Sequence, residues 1–204
     1  RSRMTRMMPD TPSEKITDSE LAWGFDLIFL FGRMPQRSIL HHLEQALLEI
    51  SPDGAATAAM RISDLESNEP QKVLACVRDA SAGRQSEFLG GRRCARSALE
   101  QCGIDSGLIG IDAEGLPNWP AGFLGSITHS KGYCAAIAAS RAHFDALGLD
   151  LEKTNRLSVP AIKRVLHPEE RAFAGGDQRL ASLLFSAKEA FYKMQFPRWR
   201  TTAN

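Results

Sequence analysis

Four short stretches of this chain carry residues able to do chemistry on phosphates. The first is Gly148-Leu149-Asp150-Leu151-Glu152. In a strand, successive side chains alternate faces, so Leu147, Leu149 and Leu151 share one face and Asp150 and Glu152 the other. Adjacent carboxylates repel, and a hard cation such as Mg²⁺ removes the repulsion. Spacing alone also describes an edge strand with a solvated polar face. The second stretch runs from Ser186 through Lys188 and Glu189 to Lys193. Leu180, Leu183, Leu184, Ala187, Ala190, Phe191 and Met194 form an apolar helical stripe, with Ser186, Glu189 and Lys193 opposite. Glu189 and Lys193 also read as an ordinary i,i+4 surface pair.

The third stretch, Gly125-Ser126-Ile127-Thr128-His129-Ser130, reads as a turn before a strand. Its hydroxyls, backbone N–H groups and imidazole can hold a phosphate, though a single His in a turn also serves structure alone. The fourth is Gly91-Arg92-Arg93-Cys94-Ala95-Arg96. Arg92 and Arg96 lie one helical turn apart and can point the same way. Guanidinium groups bind phosphates in bidentate fashion, and solvated arginines are the plain alternative.

These residues need elements to position them. Residues 1–20 are polar without period and read as a loose tail, with Met4 a candidate native start. Residues 21–31 read as a buried strand. Residues 38–50 have helical spacing through Ile39, Leu43, Leu47 and Ile50. Residues 51–70 read as loop with a short element. A helix is expected over 82–101, with Phe88, Ala95, Leu99 and Cys102 in register and Gly103 as its stop. Turns surround Trp119, strands are expected over 133–139 and 147–151, and His167-Pro168-Glu169-Glu170 looks like a helix start. Residues 180–194 form an amphipathic helix.

The 204 residues are 43% hydrophobic and 24% charged, with a formal net charge of +1. That balance excludes a global basic field of the kind nucleic-acid binding uses. Any phosphate affinity is local. Four cysteines, none in a CxxC pair, argue against a zinc ribbon and for reduced, mostly buried thiols. The apolar run at 21–31 is interrupted by Asp26 and falls short of the roughly 20 residues a membrane helix needs. A polar stretch separates it from Arg1, Arg3 and Arg6, which argues against a signal peptide and for the cytoplasm.

The succession GRRCARSAL, GLPNWPAGFLGSITHS, LGLDLE and LFSAKEAFYK resembles the 4′-phosphopantetheinyl transferases of the enterobactin and surfactin type, over roughly residues 84–197. The resemblance implies an α+β fold of two pseudosymmetric lobes, each a helix packed on a small, mainly antiparallel sheet. The lobes would cover residues 21–140 and 141–204, with the cofactor cleft between them. It implies transfer of the phosphopantetheine arm of coenzyme A to a serine of an apo acyl or peptidyl carrier protein, releasing 3′,5′-ADP. Asp150, Glu152 and Glu189 would hold Mg²⁺. Lys188 and Lys193 would contact the coenzyme A phosphates, His129 the 3′-phosphate with help from Thr128, and Arg92 and Arg96 would add positive charge. Glu189, or water near it, would take the serine proton, with Lys193 beside the same phosphates.

The chain departs from the family pattern at two places. Leu116 stands where many relatives have a Lys before Pro, and the sequence ends 11 residues after Lys193, so the second lobe is expected to be truncated. A monomer is expected unless truncation drives association. Two rival readings are a non-catalytic homologue that binds coenzyme A or a partner, and a Mg²⁺-dependent nucleotide hydrolase. The absence of a GxxxxGK[ST] loop disfavours the hydrolase.

Overall fold

The structure, a computed structural model, describes residues 36–65 and 75–199. The expected tail at 1–20 and strand at 21–31 lie outside these residues. The fold is α+β. In chain order it has α1 (Gln36–Ile50), β1 (Ala55–Arg61), α2 (Ala82–Gln101), β2 (Phe123–Ser130), β3 (Tyr133–Ser140), α3 (Val159–Val165), α4 (Pro168–Ala174) and α5 (Gln178–Trp199), with two short 3₁₀ turns between β1 and α2.

The sheet has the order β1-β3-β2, antiparallel throughout. A two-residue turn, Lys131 and Gly132, joins β2 to β3, both residues at positive φ (47° and 87°). Such a turn matches the right-handed twist of the flanking strands. Central β3 is built of small residues and is buried on both faces. Cys134, Ala136 and Ala138 pack beneath α2 with Cys94, Ala95, Ala98 and Leu99. Ala135 and Ile137 pack on the other face with Leu43 and Leu47 of α1 and with Leu149. Small side chains on β3 let helices lie close on either side of a single sheet layer.

Helix α2 spans the expected residues and starts at Ser81, whose hydroxyl accepts from the Arg84 N–H. Helix α4 opens on a capping box between His167 and Glu170 and closes at Gly175 in the left-handed region. Leu166, Ala174 and Ala181 join α3, α4 and α5.

Several elements differ from the sequence reading. Residues 51–70 contain strand β1, which Ala-rich composition hides; pairing with β3, not propensity, holds it extended. Residues 125–130 are not a turn but most of β2, and Leu124, Ser126 and Thr128 alternate inward. Residues 147–151 form no ladder. Side chains hold that backbone instead: Ser126 Oγ donates to the Leu149 carbonyl at 3.4 Å, and Leu151 N–H donates to Thr128 Oγ1 at 3.0 Å. The leucine alternation survives, since Leu147, Leu149 and Leu151 all join the α1 core cluster.

The phase of α5 is also corrected. Its expected apolar stripe is partly open, with Phe191 51% exposed, whereas Ser182 and Gln195 are buried and Ser186 and Lys193 turn inward. The period was legible, but the inner face packs on a carboxylate and not on a purely apolar layer. Among the described residues the C-terminal part contributes helices and no strand. None of the described helices is long and apolar enough to cross a membrane. None of the four cysteines forms a disulfide; Cys94 and Cys134 are buried and Cys76 is exposed.

Candidate functional site

Asp150 is a closely held acid, its side chain only 6% exposed. Oδ1 accepts from Lys193 Nζ at 2.6 Å and from Thr128 Oγ1 at 3.2 Å, and Oδ2 accepts from Ser186 Oγ at 2.9 Å. Lys193 Nζ also reaches Thr128 Oγ1 at 3.2 Å and the Leu149 carbonyl at 3.3 Å. The Thr128 hydroxyl therefore gives its one proton to Asp150 and accepts from Lys193 and from Leu151 N–H, using its full capacity. Strand β2, the 147–151 segment and α5 meet at one carboxylate.

Glu152 lies two residues on and pairs with Arg156 at 2.5 Å. Burial pushes its carboxyl up, the Asp150 charge adds to this, and Arg156 opposes it. Both acids line a cavity of about 240 Å³ between α1, residues 149–154 and α5. A wider cavity of about 570 Å³ opens beside Lys193 and is walled by Trp119, Ser126, Tyr192 and Phe196.

A second cluster adjoins the first, because His129 follows Thr128 on β2. Arg84 Nη1 lies 2.9 Å from His129 Nε2. A guanidinium only donates, so Nε2 accepts, and the imidazole proton belongs on Nδ1, which faces Glu87 Oε2 at 3.5 Å. The His129 pKa lies below the usual range. Burial is the main cause; Arg84 and Lys193 push the same way, and Glu87 and Asp150 oppose them.

Arg92 is 6% exposed, sits 4.3 Å over the Phe88 ring, and its buried Nε has no hydrogen-bond partner. Burial lowers its pKa to about 10; Cys76 opposes the shift and Arg84 adds to it. Among the described residues no carboxylate pairs with Arg92, and a buried cation in that setting is costly and calls for an anion. Arg84, His129 and Arg92 offer the chemistry of a phosphate site.

Not every residue expected at the site joins it. Arg96 does not share a direction with Arg92; it pairs with Glu100 at 3.2 Å, 41% exposed. Lys188 donates to both Glu170 oxygens, at 2.9 and 3.1 Å, and to the Val165 carbonyl, tying α5 to α4 and α3. Glu189 lines neither cavity. Among the described residues no three His, Cys, Asp or Glu side chains are grouped to hold a metal. The donor chemistry of Asp150 and Glu152 nonetheless fits Mg²⁺, which commonly takes one or two carboxylates and completes its shell with ligand phosphates and water. Arg84, Glu87 and the inward hydroxyl of Ser186 had no assigned role in the sequence reading. Arg84 sits in the first turn of α2, and only the packing of α2 on the sheet brings it to His129.

Residues 69–139 match the 4′-phosphopantetheinyl transferase N-terminal domain, and residues 146–203 match the 4′-phosphopantetheinyl transferase superfamily. The chain belongs to the 4′-phosphopantetheinyl transferase superfamily. The two matches contain the Arg84–His129–Arg92 cluster and the Asp150–Lys193 centre respectively. Among curated relatives, the 4′-phosphopantetheinyl transferase Npt of Nocardia iowensis is 39% identical over 142 residues, 67% of this chain and 63% of that protein. PptT of Mycobacterium tuberculosis is 38% identical over 125 residues, 58% of this chain and 55% of the relative. Svp of Streptomyces mobaraensis is 37% identical over 120 residues, 56% of this chain and 49% of the relative. The chain thus spans between about half and five-eighths of the curated relatives it matches.

Proposed function

We propose that this chain transfers 4′-phosphopantetheine from coenzyme A to a serine of an apo carrier protein. One observation carries the reading: adjacent β2 residues, Thr128 and His129, bring the Lys193–Asp150 centre beside Arg84, the cation next to buried Arg92. Coenzyme A bears a 3′-phosphate and a pyrophosphate, and two linked sites of this chemistry suit it. Relatives named as 4′-phosphopantetheinyl transferases support the same reading.

Arg84, Arg92 and His129 bind the 3′-phosphate. Lys193, on its flexible stem, turns from Asp150 to the pyrophosphate as a point charge. Asp150 and Glu152 would hold Mg²⁺, with Glu189 joining from α5, and the ion would offset charge building on the departing phosphate. The serine Oγ forms a bond to the β-phosphorus, and the bond from that phosphorus to the bridging oxygen breaks. The oxygen leaves with 3′,5′-ADP, and Glu189 or adjacent water takes the serine proton. Positioning and charge neutralisation dominate, since the protein forms no covalent bond. Helix α2 on its sheet serves as one lobe of the family architecture, and α3–α5 belong to the other. The reaction is placed in the cytoplasm.

Incubation with apo-carrier, coenzyme A and Mg²⁺, followed by intact-mass measurement, tests the proposal. The carrier gains one phosphopantetheine. The position of Glu189 outside both cavities favours one second reading, a homologue that binds coenzyme A without transfer. An unmodified carrier alongside measurable coenzyme A binding selects it.

A further inference from the structure

We propose that Lys193 is a built-in counterion that keeps divalent cations off Asp150 until a diphosphate draws it away, so that cation and diphosphate bind together and not separately. This rests on the assignment of the diphosphate site above. Three observations converge. Lys193 Nζ lies 2.6 Å from Asp150 Oδ1, inside any cation's approach to that oxygen, and it is also held by Thr128 Oγ1 and the Leu149 carbonyl. Asp150 Oδ2 is taken by Ser186. Glu152, the only other carboxylate lining the same cavity among the described residues, is paired with Arg156. Both acids that fit a divalent ion are therefore already neutralised from within. An ion arriving alone must displace an ammonium from a carboxylate that is only 6% exposed, and the ammonium then faces the ion across a short distance.

A diphosphate reverses this balance. Lys193 also borders the wider cavity, which Asp150 does not line. A short swing of its four-carbon stem moves the ammonium from the acid to phosphate oxygens on that side. The charge leaving Asp150 is replaced by the incoming cation, and no step leaves two carboxylates bare. The arrangement gives positive coupling between the two ligands, reciprocal by thermodynamic necessity.

The test measures Mn²⁺ binding to the unmodified chain by electron paramagnetic resonance, with and without inorganic pyrophosphate, corrected for Mn²⁺–pyrophosphate complexes. Mn²⁺ alone should bind weakly, and pyrophosphate should tighten it by roughly tenfold or more, the scale of one close charge pair. Lys193→Met should bind Mn²⁺ at least about tenfold more tightly without pyrophosphate, and Lys193→Arg, which keeps the cation, should resemble the unmodified chain. Asp150→Asn should abolish the gain in the Lys193→Met background. Tight binding of Mn²⁺ alone to the unmodified chain, or no effect of pyrophosphate on it, overturns the proposal. So does a folded Lys193→Met variant with unchanged affinity. None of these readings uses transfer, so a chain that fails to modify carriers yet shows the coupling sinks the activity and not this inference.

Discussion

Gly148 faces Ala190 so closely that an added Cβ would land on the Ala190 carbonyl oxygen and lie 2.9 Å from Met194 Cβ. No side chain fits between the 147–151 segment and α5. This contact sets the distance across which Ser186 and Lys193 reach Asp150. Gly148→Ala should cost about 1–3 kcal/mol through overpacking, read as a lower thermal midpoint. It should also reduce transfer more than coenzyme A binding at the Arg84–His129–Arg92 cluster, which lies on other elements. Equal losses in both would show general unfolding and not a shifted helix.

Asp150 carries structural as well as chemical demands. Asp150→Ala leaves the Lys193 ammonium without its acid and the Thr128 and Ser186 hydroxyls without an acceptor. Removing one partner of a buried pair costs about 3–5 kcal/mol, and the 29% exposure of Lys193 places this case toward or below the lower end. Denaturant melts should show that loss, and Asp150→Asn with Lys193→Met should recover much of it. Single and double variants of equal stability would mean the two charges are not coupled.

The buried guanidinium gives a ligand-specific outcome. Arg92→Met should leave stability unchanged or raise it, because a buried cation that no described carboxylate neutralises is replaced by an apolar chain of similar length. It should weaken coenzyme A binding by about 1.5–3 kcal/mol, the range for a hydrogen bond to a charged group, and leave dephospho-coenzyme A nearly unaffected. Calorimetric titration with both ligands checks this. Equal losses would move Arg92 away from the 3′-phosphate.

How much of this was legible in the sequence depends on what held each element. Helix α2 and strand β3 were visible because their apolar periods match one-sided and two-sided burial. Strand β1 was not, since Ala-Ala-Thr-Ala-Ala carries little strand propensity and forms through pairing with residues about 80 positions later. The site followed the same division. Asp150, Thr128, His129 and Lys193 were singled out from residue type and order, and packing brings Thr128 and Lys193 to Asp150. Arg84, Glu87 and the inward turn of Ser186 depend on how α2 and α5 rest on the sheet, which no local pattern encodes. Lys188 illustrates the converse: its motif is clear, but packing against α4 gives its ammonium to Glu170.

His129 should leave a mark on stability against pH. Its folded pKa lies below the ordinary value of 6.5, chiefly through burial. The unfolded chain therefore binds more protons in this range, and stability falls as pH falls. The contribution is present in full above about pH 6.5, is lost as pH drops from 6.5 through the lowered folded value, and is constant below it. Thermal midpoints between pH 7.5 and 5 should decline for the unmodified chain and decline less for His129→Gln, which cannot titrate. Arg84, Glu87, Lys193 and Asp150 surround the ring in both proteins, so the difference between the two curves isolates the imidazole. Parallel curves would mean that His129 titrates normally and that the Arg84 contact does not hold it neutral.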